Sequence, residues 1–194
     1  MIQFYKPNSK NTGSACSFQI STRDDCIYVN FIKQSGWDDS KKRGSFSGNA
    51  QNPKMSASFK LSSTEAGEII SCIRRNGEFS GFHDSPKQVA RIKFSPYNRP
   101  SKDNPQQLSQ VGFSFSVGKE SKENANDKTS FLIGFTFGEA VKLEAFLSLA
   151  LVKFFEKAVQ EQDNKAANRS SQPPRAAQQE PAPSEPAVAD DDLW

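Results

Sequence analysis

Residue types that support catalysis and metal binding are scarce in this chain of 194 residues. It has one histidine, His83, and three cysteines, Cys16, Cys26 and Cys72, with no Cys-x-x-Cys pair. An odd, scattered set of cysteines argues against a disulfide framework, and one histidine leaves few ligands for a zinc site. Because any catalytic triad would depend on His83 alone, the composition predicts no enzyme, no metal and no cofactor.

Long apolar runs are also absent. No stretch of about 18 apolar residues is present, which excludes a membrane-spanning helix. The first residues, beginning Met1-Ile2-Gln3-Phe4, lack the basic-then-apolar pattern of a secretory signal. The sequence therefore predicts a protein that is neither inserted in a membrane nor secreted.

The shortage of apolar residues is confined to one end of the chain. Apolar residues make up 35% of the sequence, yet all 16 phenylalanines lie at or before Phe155. Residues 1–156 carry a net charge of +6, whereas residues 157–194 carry −3 and include five of the 11 prolines. This division predicts a folded domain over residues 1–159 and a disordered, Pro/Ala-rich acidic tail over residues 160–194.

Strand and helix signals occur in the same order twice. Alternation of polar and apolar residues predicts strands near 16–20, 26–33, 43–47 and 54–61 in the first half, and near 78–83, 88–95, 111–117 and 130–137 in the second. The alternation places Val111 and Phe137 in the core with their neighbours. Ser62-Ser63-Thr64-Glu65 is a capping box, which predicts a helix from there to Gly77, and a second helix is predicted over 138–160. We therefore expect an α+β fold in which the order ββββα occurs twice.

The second predicted helix is apolar over most of its circumference. Leu143, Leu147 and Phe154 form one face, while Val152 and Phe155 lie outside it. A helix of this kind is buried on more than one side. The favoured interpretation is a homo-oligomer, a dimer or tetramer joined through this helix; the alternative is a central helix inside a monomeric core.

Three segments stand out in the two repeats: FKLSSTEAGEIIS at residues 59–71, FHD at 82–84 and GEAVKL at 138–143. They resemble, in order, the strand-into-helix segment, the segment after that helix and the start of the last helix of the Whirly family of single-stranded-DNA-binding proteins. That family is related to the positive cofactor 4 coactivators. The similarity covers roughly residues 14–156 and implies the Whirly fold, an α+β fold of two antiparallel four-stranded sheets, and binding of single-stranded DNA.

Two regions depart from the family pattern. Where Whirly proteins have a Lys-Gly-Lys-Ala-Ala-Leu motif, this chain reads TGSACSF at 12–18 and lacks both lysines, which argues against assembly beyond a tetramer. The C-terminus, Asp190-Asp191-Asp192-Leu193-Trp194, instead resembles the acidic tails of bacterial and phage replicative single-stranded-DNA-binding proteins. That resemblance implies partner binding through these five residues, with a solubilising tail as the alternative.

A binder of single strands needs cations along the phosphates and flat side chains on which bases stack. The polar strand faces supply lysines, arginines, a tyrosine and an asparagine. The loop after the second predicted strand places three consecutive bases between two aromatic residues. The candidate DNA-binding residues are Tyr28, Asn30, Lys33, Trp37, Lys41, Lys42, Arg43, Phe46, Lys54, Lys60, Arg91 and Lys93.

Each candidate also has a structural interpretation. The strand lysines and arginines are equally typical of a solvated sheet face, and Trp37 of a side chain packed under its own loop. Lys41-Lys42-Arg43 is a weak match to a nuclear-targeting patch. For Phe82-His83-Asp84, a structural role near a turn is favoured over chemistry.

The sequence thus predicts a protein that coats and protects single-stranded DNA in replication, recombination and repair, and recruits partners through its tail. We expect it in the cytoplasm of a bacterial cell or phage-infected host, with an organelle nucleoid as the alternative. The alternative function on the same fold is an RNA-binding or annealing factor, or a transcriptional coactivator. A protein-only scaffold is a further class.

Overall fold

The computed structural model describes residues 1–101, 104–124 and 127–170. The first half of the chain forms six strands: β1 Ile2–Lys6, β2 Ser14–Ser21, β3 Cys26–Lys33, β4 Gly36–Asp38, β5 Arg43–Ser45 and β6 Ser56–Ser62. Alternating apolar residues build four of them into a first antiparallel sheet, in the order β1-β2-β3-β6. A two-stranded ribbon, β4–β5, and a short 3-10 turn at Asn49–Gln51 are inserted before β6.

The second half repeats this arrangement. Its elements, with the helix that precedes them, are α1 Ser63–Arg75, β7 Phe79–Asp84, β8 Gln88–Pro100, β9 Leu108–Ser121, β10 Lys128–Phe135 and α2 Phe137–Ser170. The second sheet has the order β10-β9-β8-β7, and each sheet is followed in the chain by a helix. The predicted α+β fold of two four-stranded antiparallel sheets is therefore confirmed. No helix in these ranges is long and apolar enough to cross a membrane.

Strand membership in the first sheet differs from the prediction. The segment predicted as a strand near 43–47 lies in the ribbon, where β5 pairs with β4. Its place in the sheet is taken by β1, which pairs with β2. The strand β1 has only five residues, with Ile2 and Phe4 buried, so its alternation is too brief to stand out in the sequence.

Both helices begin with a reciprocal cap. The predicted box at α1 is confirmed: Ser62 N donates to the Glu65 carboxylate (2.8 Å), and Glu65 N donates to Ser62 Oγ (3.2 Å). Thr136 and Glu139 form the same arrangement at α2, with distances of 2.8 and 3.3 Å. The predicted ends were less accurate, because α1 stops at the left-handed Asn76 before Gly77, and α2 continues past residue 160.

The two capping carboxylates also tie the helices to edge strands. Glu65 lies 2.9 Å from Nε2 of His83 on β7, and Glu139 lies 2.6 Å from Nζ of Lys6 on β1. Burial raises the pKa of Glu139, but hydrogen bonds from Lys6 and Thr136 outweigh it and hold the pKa below its ordinary value. Each helix therefore connects the sheet it follows to the edge of the other sheet.

Phenylalanine rings fill the space between the sheets. Phe115 on β9 contacts Phe18 and Phe31 of the first sheet, with ring centroids 6.1 and 5.4 Å apart, and Phe94 of its own sheet at 5.9 Å. All four rings are fully buried. Burying each contributes about 1.5–3 kcal/mol, so this cluster is a main source of stability.

Two residues predicted in the core are exposed instead. The pairing passes from Tyr97 with Gly112 to Asn98 with Gln110, so Val111 is left over in a bulge and is 39% exposed. Phe137, which continues the alternation of β10, is the first residue of α2 and is 52% exposed. In both cases the period-two pattern is interrupted where the backbone changes conformation.

Gly112 at this bulge provides a test of the fold. Its φ is 147°, and a Cβ there would overlap the backbone oxygen of Phe135. We expect Gly112→Ala to lower the free energy of unfolding by about 3 kcal/mol, through overpacking and backbone strain. Gly118→Ala on the same strand is the matched control, because a Cβ there meets nothing within 4 Å. Urea denaturation measures both, and equal stabilities would contradict the assigned bulge.

Candidate nucleic-acid interface

The outward face of the second sheet originates in the alternation of β8. Every second position of this strand carries an outward side chain, and the residues are Arg91, Lys93, Ser95, Tyr97 and Arg99. The alternating residues Ala90, Ile92 and Phe94 are buried on the opposite face. Because successive side chains of a strand point to opposite faces, these five lie in one line. The line carries three cations and one aromatic ring.

Neighbouring strands extend this line into rows. Cross-strand pairing aligns Phe82, Arg91, Gly118 and Ser130 across the whole sheet. Small residues dominate β9 and β10 on this face, so the middle of the sheet forms a low floor between longer side chains. An exposed floor of this kind, bordered by a ring and a guanidinium, leaves room for flat groups to lie on the sheet.

Two arginines on this face lie over aromatic rings. The guanidinium carbon of Arg91 is 5.1 Å from the ring centroid of Phe82, and that of Arg99 is 5.0 Å from the ring of Tyr97. Phe82 is 56% exposed, which is unusual for a large apolar side chain on a sheet. A cation over a ring keeps its outer hydrogen-bond donors free while the ring edge stays accessible.

Four concavities adjoin one another along this face. Their volumes are about 240, 580, 620 and 490 Å³, and each shares lining residues with the next. The first two share Arg91, the second and third share Ser130, and the last two share Leu132. Together they form one groove that runs over the second sheet, past the edge strand β10, to the loop between β1 and β2.

The charge along this groove is positive. Among the described residues, seven basic residues and one acidic residue, Glu120, line the four concavities. A groove lined by one sign of charge attracts ligands of the opposite sign. The basic residues are Lys6, Lys33, Arg91, Lys93, Arg99, Lys119 and Lys128.

Some of these cations already have protein partners. Lys93 pairs with Glu78 at 3.0 Å, Lys128 with Glu120 at 3.1 Å and Lys6 with Glu139 at 2.6 Å. Lys119 donates to backbone oxygens at 3.3 and 3.2 Å, and burial lowers its pKa. By contrast, no carboxylate among the described residues pairs with Arg91, Arg99 or Lys33. Arg91 is therefore one of three groove cations placed to receive a phosphate.

A second group of predicted residues lies on the outward face of the first sheet. Nζ of Lys60 is 5.4 Å from the ring centroid of Tyr28, and a hydrogen bond with Tyr28, then the nearby Asp24, raise the pKa of Lys60. Asn30 accepts a hydrogen bond from Ser58 at 2.6 Å. These three predicted residues are thus brought together, on a different sheet from Arg91 and Lys93.

The ribbon carries most of the predicted loop residues. Trp37 lies on β4 and donates from Nε1 to Asp39 at 3.1 Å. Lys41 lies 3.9 Å from Asp38, and Lys42 lies 3.6 Å from Asp39, so their charges are partly offset within the ribbon. Arg43 begins β5 and is exposed.

The remaining predicted residues are dispersed. Lys33 lies over the ring of Phe131 at 5.0 Å and lines the largest of the four concavities. Phe46 packs against Tyr5, with ring centroids 5.8 Å apart. Lys54 was expected on the polar face of a strand, but it lies in the turn before β6 because pairing with β3 begins only at Ser56.

The prediction omitted several groove residues, namely Phe82, Tyr97, Arg99 and Leu132. The line from Arg91 through Lys93 points to Tyr97 and Arg99, since the same alternation continues to the end of β8. Pro96 and Pro100 obscured this continuation, because proline normally argues against a strand. Leu132 carried no such signal, since its position at the groove depends on β10 lying beside β2, where Ser14 Oγ donates to Leu132 O at 2.6 Å.

The described ranges bear on the requirements of a metal centre and of a reactive thiol. There, no group of three His, Cys, Asp or Glu residues is arranged to hold a metal ion. All three cysteines are buried as free thiols, and burial raises the pKa of Cys16 well above its ordinary value. The predicted partner-binding residues, Asp190, Asp191, Asp192, Leu193 and Trp194, lie outside the described residues.

Comparison with solved structures places this fold in a known class. WHY1 from Arabidopsis thaliana aligns at a TM-score of 0.56, over 90% of this chain and 95% of its own. WHY3 from Arabidopsis thaliana aligns at 0.54, over 87% and 95%, and the plant transcriptional regulator PBF-2 at 0.52, over 91% and 89%. Sequence identity is 17% in each case.

These similarities establish the fold, and no more than the fold, at this level of identity. No protein-family profile matches the chain, and no curated protein sequence matches it. The chain has the Whirly fold, as the three sequence segments implied.

Proposed function

We propose that this protein binds single-stranded DNA along the groove of its second sheet and thereby coats and protects it. The observation that carries the proposal is a row of four adjoining concavities, whose described lining residues include seven basic residues and one acidic residue. The sequence resemblance to Whirly proteins supports the same ligand. Binding, with no catalytic step, is the whole of the proposed mechanism.

The arrangement suits an unpaired strand better than a duplex. The Ser/Gly floor leaves space for bases on the sheet, and the exposed ring of Phe82 offers an apolar surface against which a base can stack. Each stacked base contributes about 1–3 kcal/mol in such sites, whereas paired bases keep their faces inside the duplex. Arg91, held over Phe82, supplies donors for the adjacent phosphate.

The alternative ligand is RNA. PBF-2, which shares the fold, is a plant transcriptional regulator, and this keeps a transcriptional role as the second candidate. The described lining residues of the groove show no arrangement that singles out a ribose 2′-hydroxyl.

A salt titration with a fluorescent 30-mer, offered as single-stranded DNA, duplex DNA and RNA, decides between single-stranded DNA and RNA as the ligand. Tighter binding of RNA would favour the alternative, and no binding at low salt would leave a protein scaffold.

We also propose that the protein assembles through α2. One side of this helix carries a stripe of apolar and small residues that follow one another at intervals of four and three positions. They are Val141, Ala145, Ser148, Val152 and Phe155. Val152 is 51% exposed and Phe155 is 67% exposed, although the opposite side of the helix is buried. This spacing is that of helices that pack side by side, so a second copy presenting the same stripe is the fitting occupant.

The C-terminal tail has a separate proposed role. Its five acids among the last 15 residues would compete with DNA for the positive groove and be released when DNA binds. Leu193 and Trp194 would then enter an apolar pocket of a replication or recombination partner, with Asp190 to Asp192 facing its basic rim. This is how the protein would recruit such partners in replication, recombination and repair.

The groove proposal predicts the effect of two substitutions. Arg91→Glu should weaken binding of single-stranded DNA at least about 10-fold and lower the salt-dependence slope by about 0.7, because one phosphate contact is lost. Phe82→Ala should weaken binding by about 1–3 kcal/mol with little change in slope, because stacking is largely independent of salt. Fluorescence anisotropy at several salt concentrations measures both quantities.

Arg75→Glu is the matched control, because it makes the same charge change at an exposed position on α1. It should bind nearly as the wild type does. If Arg91→Glu and Arg75→Glu weaken binding equally, only overall charge matters, and the groove is not the site.

The assembly proposal predicts that Val152→Glu yields a monomer. A buried glutamate in the stripe would lose its hydration without gaining a partner. Light scattering should report the monomer mass of 21.5 kDa for this variant and a multiple of it for the wild type. Lys153→Glu, one residue away and off the stripe, should retain the wild-type mass. A monomeric wild type would rule out the assembly.

The tail proposal predicts opposite effects on two partners. Deleting residues 190–194 should leave binding of single-stranded DNA unchanged or tighter, and should abolish capture of replication proteins by the immobilised chain. A clear loss of DNA affinity would contradict it. A second variant replaces Asp190 to Asp192 with asparagines and keeps the terminal Leu193 and Trp194. It should capture the partner more weakly than the wild type does, because the basic rim then meets no carboxylates from these three residues.

A further inference from the structure

Gln34 is an unusual residue for its position. With Ser14 it is one of two buried polar side chains in the described ranges, and it is 3% exposed. It lies between β3 and the ribbon. A buried amide is costly unless its hydrogen bonds are made, so its partners indicate its purpose.

The amide of Gln34 joins two separate segments. Its Oε1 accepts from Asn8 N at 2.9 Å, and its Nε2 lies within hydrogen-bond distance of Asn8 O (2.9 Å) and Asn11 Oδ1 (3.2 Å). The same Nε2 reaches Gly36 O at 2.8 Å, at the start of the ribbon. In addition, Gln34 N donates to Gly13 O at 2.9 Å. One side chain thus holds the loop between β1 and β2 against the ribbon.

Two glycines show how closely these segments pack around the amide. A Cβ at Gly13 would overlap Gln34 Oε1, and a Cβ at Gly44 would overlap Pro7 and come within 3.1 Å of Gln34 Nε2. Neither segment has room to shift toward the other. The relative position of loop and ribbon is therefore set at Gln34.

The loop lines the groove, and the ribbon lies beside the loop. Thr12 and Gly13 of the loop line two of the concavities, whereas no ribbon residue is among the described lining residues of the four. The ribbon carries Trp37 and the basic run from Lys41 to Arg43. We infer that Gln34 is a positioning residue that holds the basic ribbon against the groove wall, so that ribbon and groove bind one strand together. This inference rests on the proposed binding of single-stranded DNA. Without Gln34 the ribbon would contribute nothing to that binding.

The experiment measures binding of a fluorescent single-stranded 30-mer by Gln34→Ala in a Trp194→Phe background, where Trp37 is the one remaining tryptophan. We expect the salt-dependence slope to fall by about 2, which is roughly 0.7 for each of three lost phosphate contacts. Quenching of Trp37 by the DNA should largely disappear. Gln19→Ala, at an exposed glutamine on β2, is the matched control and should change neither quantity.

A double-mutant cycle separates positioning from a general loss of structure. The triple variant Lys41→Ala, Lys42→Ala, Arg43→Ala should lower the slope by the same amount, and adding Gln34→Ala to it should cause no further loss. Additive losses would mean that Gln34 acts elsewhere and would overturn the inference. Gln34→Glu, which keeps the size and the acceptor for Asn8 N but lacks the donor, should behave as Gln34→Ala does if the bond to Gly36 matters.

The outcomes also distinguish this inference from the proposed function. If the wild type binds the strand and Gln34→Ala retains both slope and quenching, the positioning role is wrong and the groove proposal stands. If the wild type fails to bind at low salt, both are wrong. If Gln34→Ala unfolds below the assay temperature, the cycle is completed with Gln34→Glu, and the same criteria apply to it.

Discussion

The packing of aromatic rings around Phe115 is the interaction on which the rest of this structure depends. Its ring contacts rings from both sheets, so it links the two halves of the repeated ββββα pattern. Such ring pairs contribute about 0.5–1.5 kcal/mol beyond the burial of their area. Because this cluster occupies the inner faces, the outer faces of both sheets are left to polar and small residues.

That division explains the form of the groove. A sheet whose inner face is filled with phenylalanine can carry serine and glycine on its outer face without losing its core. Phe82 is an exception, an exposed phenylalanine whose ring lies beside Arg91 and not in the core. Phe82 is the one exposed phenylalanine on the described strands, and its ring lies beside the positively charged lining of the groove; the other exposed phenylalanines, Phe137 and Phe155, lie on α2.

Much of the fold was predictable because its signals are local. The capping box at Ser62 and the alternation of β3 depend on residues within a few positions of each other, and both were located correctly. The alternation of β8 was recognised from Gln88 to Ser95, but its continuation to Pro100 was missed. Arg91 and Lys93 were recognised as outward-facing for the same reason. The place of β1 in the sheet and the bulge at Val111 depend on pairing with distant strands, and they were missed.

The sequence by itself determined the repeated order of strands and helix, the starts of the helices and the polar faces of the strands, since residue spacing alone specifies which side chains share a face. Only the tertiary structure decided that β10 lies beside β2, and thus that Leu132 and the loop from Asn8 to Gly13 extend the groove of Arg91. The same holds for Gln34, whose neighbours come from separate segments of the chain. Contacts of this kind arise from how strands pack, and no local pattern encodes them.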